Sequence, residues 1–143
     1  MRTKYLAIDL FSVIVIYQAN INKFAKILER HQKNFNNIIL VNNSPEISLD
    51  SFKSPQVTII NNPNNIGLAS ALNIGIFEAK KQGAKMVALF DQDTSIGNSF
   101  NQKMISNINL FFDNKIALYS PLCFNINTNN LLNLYYIYPF RFK

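Results

Sequence analysis

The segment Phe11–Tyr17, FSVIVIY, constrains the fold more than any other part of the chain. It is apolar at nearly every position and β-branched from Val13 to Ile16, so it lacks the two-residue alternation of a half-exposed strand. A strand of this kind must be covered on both faces, which calls for helices above and below it. The chain supplies them. Ile21–His31 places Ile21, Phe24, Leu28 and His31 on one helical face. Strand-like runs recur at Asn37–Val41 (NIILV), Gln56–Ile60 (QVTII), Lys85–Phe90 (KMVALF) and Lys115–Ser120 (KIALYS). Between them lie a small-residue helix over Ile66–Gln82, closed by Gly83, and another over Asn98–Phe112. Phe100, Met104, Ile108 and Phe111 form the inward stripe of the latter.

Strands alternating with helices predict one α/β domain over residues 1–143, a mostly parallel sheet with helices on both faces. Residues 122–143 read as an irregular tail with the aromatic stretch Tyr135–Phe142. A hydrophobic share of 48% against 15% charged residues places the chain among folding sequences rather than disordered ones. The 22 Asn and 19 Ile reflect a compositional bias of the kind an AT-rich bacterial genome imposes, so Asn abundance alone carries no functional weight. The formal charge is +6, but the cations are scattered, with no block of five, which argues against a dedicated nucleic-acid arm. The single Cys123 excludes an internal disulfide and suits a reducing compartment. Arg2 and Lys4 ahead of Tyr5–Tyr17 resemble the start of a signal peptide, but Asp9 interrupts the apolar run and no small-residue cleavage site follows. A buried strand explains that run better.

In open parallel sheets, ligands bind beyond the carboxyl ends of the strands. Asn42, Asn61–Asn65 and Asp91–Asp93 each follow a strand, so they are expected on one rim. Asp91 and Asp93 flank Gln92 directly after an apolar run. Two carboxylates held close repel, and a hard divalent cation resolves this while keeping open positions for phosphate oxygens. The same spacing also suits a plain turn in which Asp93 caps the next helix. Asn65 is the expected N-cap of the helix that follows it. Gly67 would let a ligand or strand approach the backbone, and Ala69, Ala71 and Gly75 keep that helix slim. Its N-terminus would favour an anion at the rim, although tight packing of helix on sheet accounts for the small residues equally well.

Taken in order, these pieces resemble the start of a family 2 glycosyltransferase of the GT-A fold, its rhamnosyltransferase-like branch above all. The resemblance rests on the strand ending in Tyr17, on Ile38–Ser44 (IILVNNS), on Asn65–Gly75 as N-x-G-x-A-x-A-x-N-x-G, and on Ala88–Ser95 (ALFDQDTS). It covers roughly residues 11–121. It implies a nucleotide-diphospho-sugar donor (dTDP-rhamnose or a UDP-sugar), Mg²⁺ or Mn²⁺, and a glycan or lipid-linked acceptor in bacterial surface-polysaccharide synthesis. It also implies a cytoplasmic protein, peripheral on the inner face of the inner membrane. Tyr17 would then line the nucleotide pocket, and Asn42 stands where the family usually has the Asp that recognises the base. Asn65, Gly67 and Asn73 would wall the ribose and diphosphate, with Asp91 and Asp93 on ribose and metal.

Two departures from the family pattern stand out. Asn42 replaces an Asp, leaving an amide that can both donate and accept. No acidic residue occurs after Asp113, whereas an inverting transfer needs a general base; the family places it, with the acceptor site, in a second half. The catalytic residue is therefore unassigned, and a truncated or split enzyme completed by a second polypeptide is the alternative expectation. A haloacid dehalogenase-type phosphohydrolase also uses Asp-x-Asp after a strand, but it wants Thr or Val where Ser95 stands, and on the first strand. A nucleic-acid module stacking bases on the aromatic tail fits less well, and no nucleic acid is expected as a partner. Smaller features take plain structural readings: His31 a charge at a helix end, Cys123 a small buried hydrophobe, Lys80-Lys81 a solvated face.

Overall fold

The computed structural model describes residues 5–111, 113, 116–121, 124–125 and 130–131. The chain divides into two compact units, Met1–Phe112 and Asp113–Lys143. Within the first unit, β1 (Leu10–Ile16) is followed by α1 (Ile21–Gln32), β2 (Ile38–Asn42), β3 (Val57–Asn61), α2 (Leu68–Lys81), β4 (Met86–Asp91) and α3 (Phe100–Phe111). The strands form one parallel sheet in the order β3-β2-β1-β4. The second unit contains a short antiparallel pair, β5 (Phe124–Asn125) and β6 (Asn130–Leu131).

Every residue of β1 and β2 is buried, whereas β3 and β4, the sheet edges, are only partly covered. That is why FSVIVIY shows no alternation. Alternation survives as a division between two cores. Leu10, Ile14 and Ile16 of β1, with Ile38 and Leu40 of β2, pack with Phe24, Leu28, Phe35 and Ile105 on the face carrying α1 and α3. Phe11, Val13, Val15, Ile39 and Val41 pack with Ala71 and Ala79 of α2 on the other. Each buried aliphatic side chain contributes on the order of 1.5–3 kcal/mol.

Strand order sets the site. From β1 the chain steps outward through β2 to β3, then α2 carries it back across to β4 on the far side of β1. The direction of winding therefore reverses between β1 and β4, and a crevice opens there at their carboxyl ends.

Several local expectations are corrected. Ile116–Ser120, the described part of the fifth predicted strand, forms no strand, and Leu118 is 83% exposed. Only Ile116 in that run is β-branched and Pro121 follows it, so its local β preference is weak. Phe111 is 65% exposed; the buried face of α3 is Asn101, Ile105 and Ile108. In α2 the buried small residues are Ala71, Gly75 and Ala79, while Ala69 is exposed. Lys115, Cys123 and the aromatic tail Tyr135–Phe142 lie outside the described residues.

Candidate functional site

Beyond the carboxyl ends of β1 and β4 lies an open cleft of about 490 Å³. Val15 contributes from β1 and Tyr17 from just beyond it, Asp91 from the end of β4, and Gln92 and Asp93 from the turn that follows. Asn43 lines it after β2, and Asn65, Gly67 and Leu68 at the start of α2. Of the three polar segments expected on one rim, Asn65 and the Asp91–Asp93 turn line this cleft, whereas the end of β2 contributes Asn43 and not Asn42.

The Asp-Gln-Asp segment is a tight turn, closed by the Thr94 amide donating to the Asp91 carbonyl at 3.0 Å. Asp91 and Asp93 are both exposed in the cleft. The ion pairs among the described residues, Lys53–Asp50 and Lys81–Glu78, leave both carboxylates out. Asp93 does not cap α3; the amide of Phe100 donates instead to Oδ1 of Asn34, at 2.7 Å. Gln92 does what a backbone rung would. Its side-chain amide accepts from the Tyr17 N–H at 2.7 Å and donates to the Tyr17 carbonyl at 2.9 Å.

Behind the turn stands His31, fully buried rather than a surface charge. Its Nε2 donates to the Thr94 carbonyl at 3.2 Å, so Nδ1, 3.2 Å from Ser12 Oγ, is the acceptor for that hydroxyl. Burial lowers its pKa below the ordinary histidine value, with the Thr94 hydrogen bond opposing. The ring packs edge-on against Phe90 at 4.7 Å and stacks on Phe35 at 6.0 Å. Arg30, one residue earlier, donates to Ser95 Oγ.

On the α2 side, Asn65 is not the N-cap. Gly67 occupies that position with φ +82, a conformation that L side chains rarely adopt. Oδ1 of Asn65 accepts from the Gly67 N–H at 2.9 Å and from Nδ2 of Asn43 at 2.7 Å. Asn43 in turn accepts from Asn62 Nδ2 and the Ile66 N–H. Helix geometry leaves the N–H groups of Leu68, Ala69 and Ser70 without intrahelical acceptors; Gly67 and Leu68 of this turn line the cleft, and a helix start of this kind favours an anion.

Asn42 is 2% exposed and does not line the cleft. It donates to the Ile47 carbonyl and to Asn61 Oδ1, and accepts from the Ser44 N–H. Asn73 is exposed on α2, outside the cleft lining. Asn43 and Gln92 are the polar lining residues that sequence reasoning passed over, beside the apolar Val15 and Leu68. The only signal for either was position: one follows a strand within an Asn-rich run, the other sits between two carboxylates.

The described residues contain no group of three or more His, Cys, Asp or Glu able to hold a metal ion. Two carboxylates on one turn suit Mg²⁺ or Mn²⁺, which typically take one or two protein carboxylates and complete their shell with phosphate and water. The donor set fits such an ion only in company with a phosphorylated ligand.

A parallel α/β sheet with two carboxylates and a helix N-terminus at its switch point is an arrangement suited to an anionic ligand carrying a cation. The description "Glycosyl transferase family 2" matches residues 12–131, and the chain belongs to that family. It is 28% identical over 134 residues to the dTDP-rhamnosyl transferase RfbF of Shigella flexneri, a match covering 86% of this chain and 45% of that protein. The chain thus spans less than half the length of that relative. The α/β arrangement and the rhamnosyltransferase-like resemblance read from the sequence both hold.

Proposed function

We propose that the cleft binds a nucleotide-diphospho-sugar and that the chain serves glycosyl transfer in bacterial surface-polysaccharide assembly. Rhamnose is the sugar this reading favours, because the relative is a dTDP-rhamnosyl transferase; a UDP-sugar is the other donor to test. One observation carries the reading: Asp91 and Asp93 share a single cleft with the N-terminus of α2, at the switch point of the sheet.

In this reading Tyr17, 43% exposed, packs against the nucleotide. Gly67 and the first turn of α2 receive the diphosphate, with Asn65 holding that turn in place. Asn42 acts from behind by fixing the β2–β3 rim, and Asn73, outside the cleft lining, is given no part in donor binding. Asp91 and Asp93 hold Mg²⁺ or Mn²⁺, which when bound neutralises charge on the diphosphate. The acceptor is a glycan or lipid-linked glycan. No Asp or Glu follows Asp113, so the general base is assigned to a segment outside these 143 residues, in the same polypeptide or a second one. If that segment is missing, the chain binds donor without transferring it.

No helix of the described residues is long and apolar enough to cross a membrane. Peripheral association with anionic lipid on the cytoplasmic face is supported by the exposed Lys23, Lys26, Arg30 and Lys33 along α1 and its end.

The test is a thermal-shift titration with dTDP, UDP and GDP, each with and without Mn²⁺. Binding at a hundred times the dissociation constant stabilises by about 2.7 kcal/mol, which a melt resolves. One nucleotide is expected to raise the melting temperature only with metal, and Asp93→Ala to abolish that increment without changing the unliganded melt. An Asp93→Ala protein that keeps the metal-dependent shift would remove the carboxylate from the metal role.

A further inference from the structure

We infer that Gln92 is a positioning residue for the donor site: its side chain fixes the distance between the Asp91–Thr94 turn and Tyr17. This rests on the proposed reading of the cleft and adds a residue that binds no ligand itself.

The parallel ladder between β1 and β4 ends at Val15↔Asp91. Beyond that rung β4 bends away into its turn, so the next backbone groups of β1 lose their partner strand. Tyr17 offers an N–H and a carbonyl there, and Gln92 meets both with one primary amide, at 2.7 Å and 2.9 Å. A primary amide carries the donor and acceptor of a peptide group, so the side chain extends the sheet by one rung after the backbone has left it.

What this rung holds is not a relaxed segment. Gln18, the next residue, has φ +48, a left-handed conformation that costs a non-glycine residue on the order of 1 kcal/mol. On its other side β1 is tied to the β2 end, with Asn43 N–H donating to the Ile16 carbonyl and Gln18 N–H donating to Ser44 Oγ. Gln92 supplies the tie toward β4. Without it, Tyr17 and the Asp91–Thr94 turn lose their direct tie and are joined only through the ladder that ends at Val15↔Asp91. An ionised carboxylate, as on the neighbouring Asp91 and Asp93, can only accept, whereas the side chain that meets Tyr17 has to donate as well. Glu in the same place could accept from the Tyr17 N–H but would set an oxygen against the Tyr17 carbonyl.

The experiment compares wild type, Gln92→Met, Gln92→Glu, Tyr17→Ala and the Gln92→Met/Tyr17→Ala double variant. It measures dTDP and UDP dissociation constants with and without Mn²⁺, the unliganded melting temperature, and the electron paramagnetic resonance spectrum of bound Mn²⁺. Gln92→Met is expected to weaken Mn²⁺-dependent nucleotide binding about tenfold, the order carried by two exposed hydrogen bonds. The melt should move by only a few degrees, and the Mn²⁺ spectrum should broaden. Gln92→Glu should also weaken binding, because it keeps the acceptor and loses the donor. The effects of Gln92→Met and Tyr17→Ala should fall short of additive, since a ring that is no longer placed has little left to lose. Wild-type binding that is metal-dependent, with both Gln92 variants within twofold of it, would overturn this inference and leave the donor site standing. Wild type showing no metal-dependent binding would overturn both.

Discussion

His31 shows how far a residue's meaning depends on what the fold sets over it. In the sequence it ends a helix beside Arg30 and Lys33 and reads as a charge. In the structure Phe90 and the Thr94 carbonyl close over it, and its neutral tautomer joins β1, α1 and the Asp-Gln-Asp turn. No spacing rule could reveal this, because the partners are 19 and 63 residues away. The burial has a consequence for pH. The folded pKa is depressed below the ordinary 6.5, so between those two values the unfolded chain binds a proton that the folded one does not. Stability is therefore full above pH 6.5 and falls as the pH drops toward the folded value. Asp50, held below the carboxylate range mainly by the Lys53 hydrogen bond, and Glu78, held there mainly by Gln82, lose their contributions at lower pH. His31→Phe should flatten the decline below pH 6.5 in urea melts, whereas an unchanged slope would place the titration elsewhere. His31→Ala should cost about 2–4 kcal/mol, combining a cavity with an unpaired Thr94 carbonyl.

At the scale of elements, four strands and three helices were legible because each is dominated by one local rule. Continuous β-branched runs meant burial on both faces, and three- and four-residue spacing meant a helix face. What stayed hidden was relational. Lys115–Ser120 has the apolar content of a strand but little β-branching, and composition alone does not tell which. The small-residue stripe of α2 was visible, but not which small residue matters most. Here the structure is decisive: a Cβ on Gly75 would collide with Val13 Cγ1 and stand 3.0 Å from Val41 Cγ2. Both valines sit in fully buried strands and have little room to yield. Gly75→Ala gains about 1 kcal/mol of helix propensity, yet overpacking of this kind typically costs about 1–3 kcal/mol. A net loss of stability in denaturant melts is expected. An equal or higher melting temperature would show that α2 can lift from the sheet without penalty. Gly83, by contrast, has φ +94 and open space around it, so it is held by conformation and not by packing.

At the scale of the whole molecule, the +6 charge looked evenly scattered in sequence, and the fold gathers part of it. Lys23, Lys26, Arg30 and Lys33 recur at helical spacing along α1 and its end, all exposed, opposite the buried Phe24, Leu28 and His31. The ion pairs among the described residues engage none of them. A face of this kind is attracted to an anionic bilayer, with each cation near the surface worth about 1 kcal/mol. Replacing Lys23, Lys26 and Lys33 together by Gln leaves the Arg30–Ser95 contact and the cleft untouched. That variant should pellet with phosphatidylserine-containing vesicles at least about tenfold less than wild type, since three such cations carry roughly two decades of partitioning. Wild-type binding should be absent on neutral phosphatidylcholine vesicles. It should also fade as ionic strength rises from 0.1 M toward 1 M, where the screening length shrinks from about 10 Å to about 3 Å. If the triple variant binds as wild type does, the charge that matters lies elsewhere on the chain. If neither protein binds, peripheral association is not carried by these 143 residues, and the cleft would have to be presented to a membrane acceptor by something else.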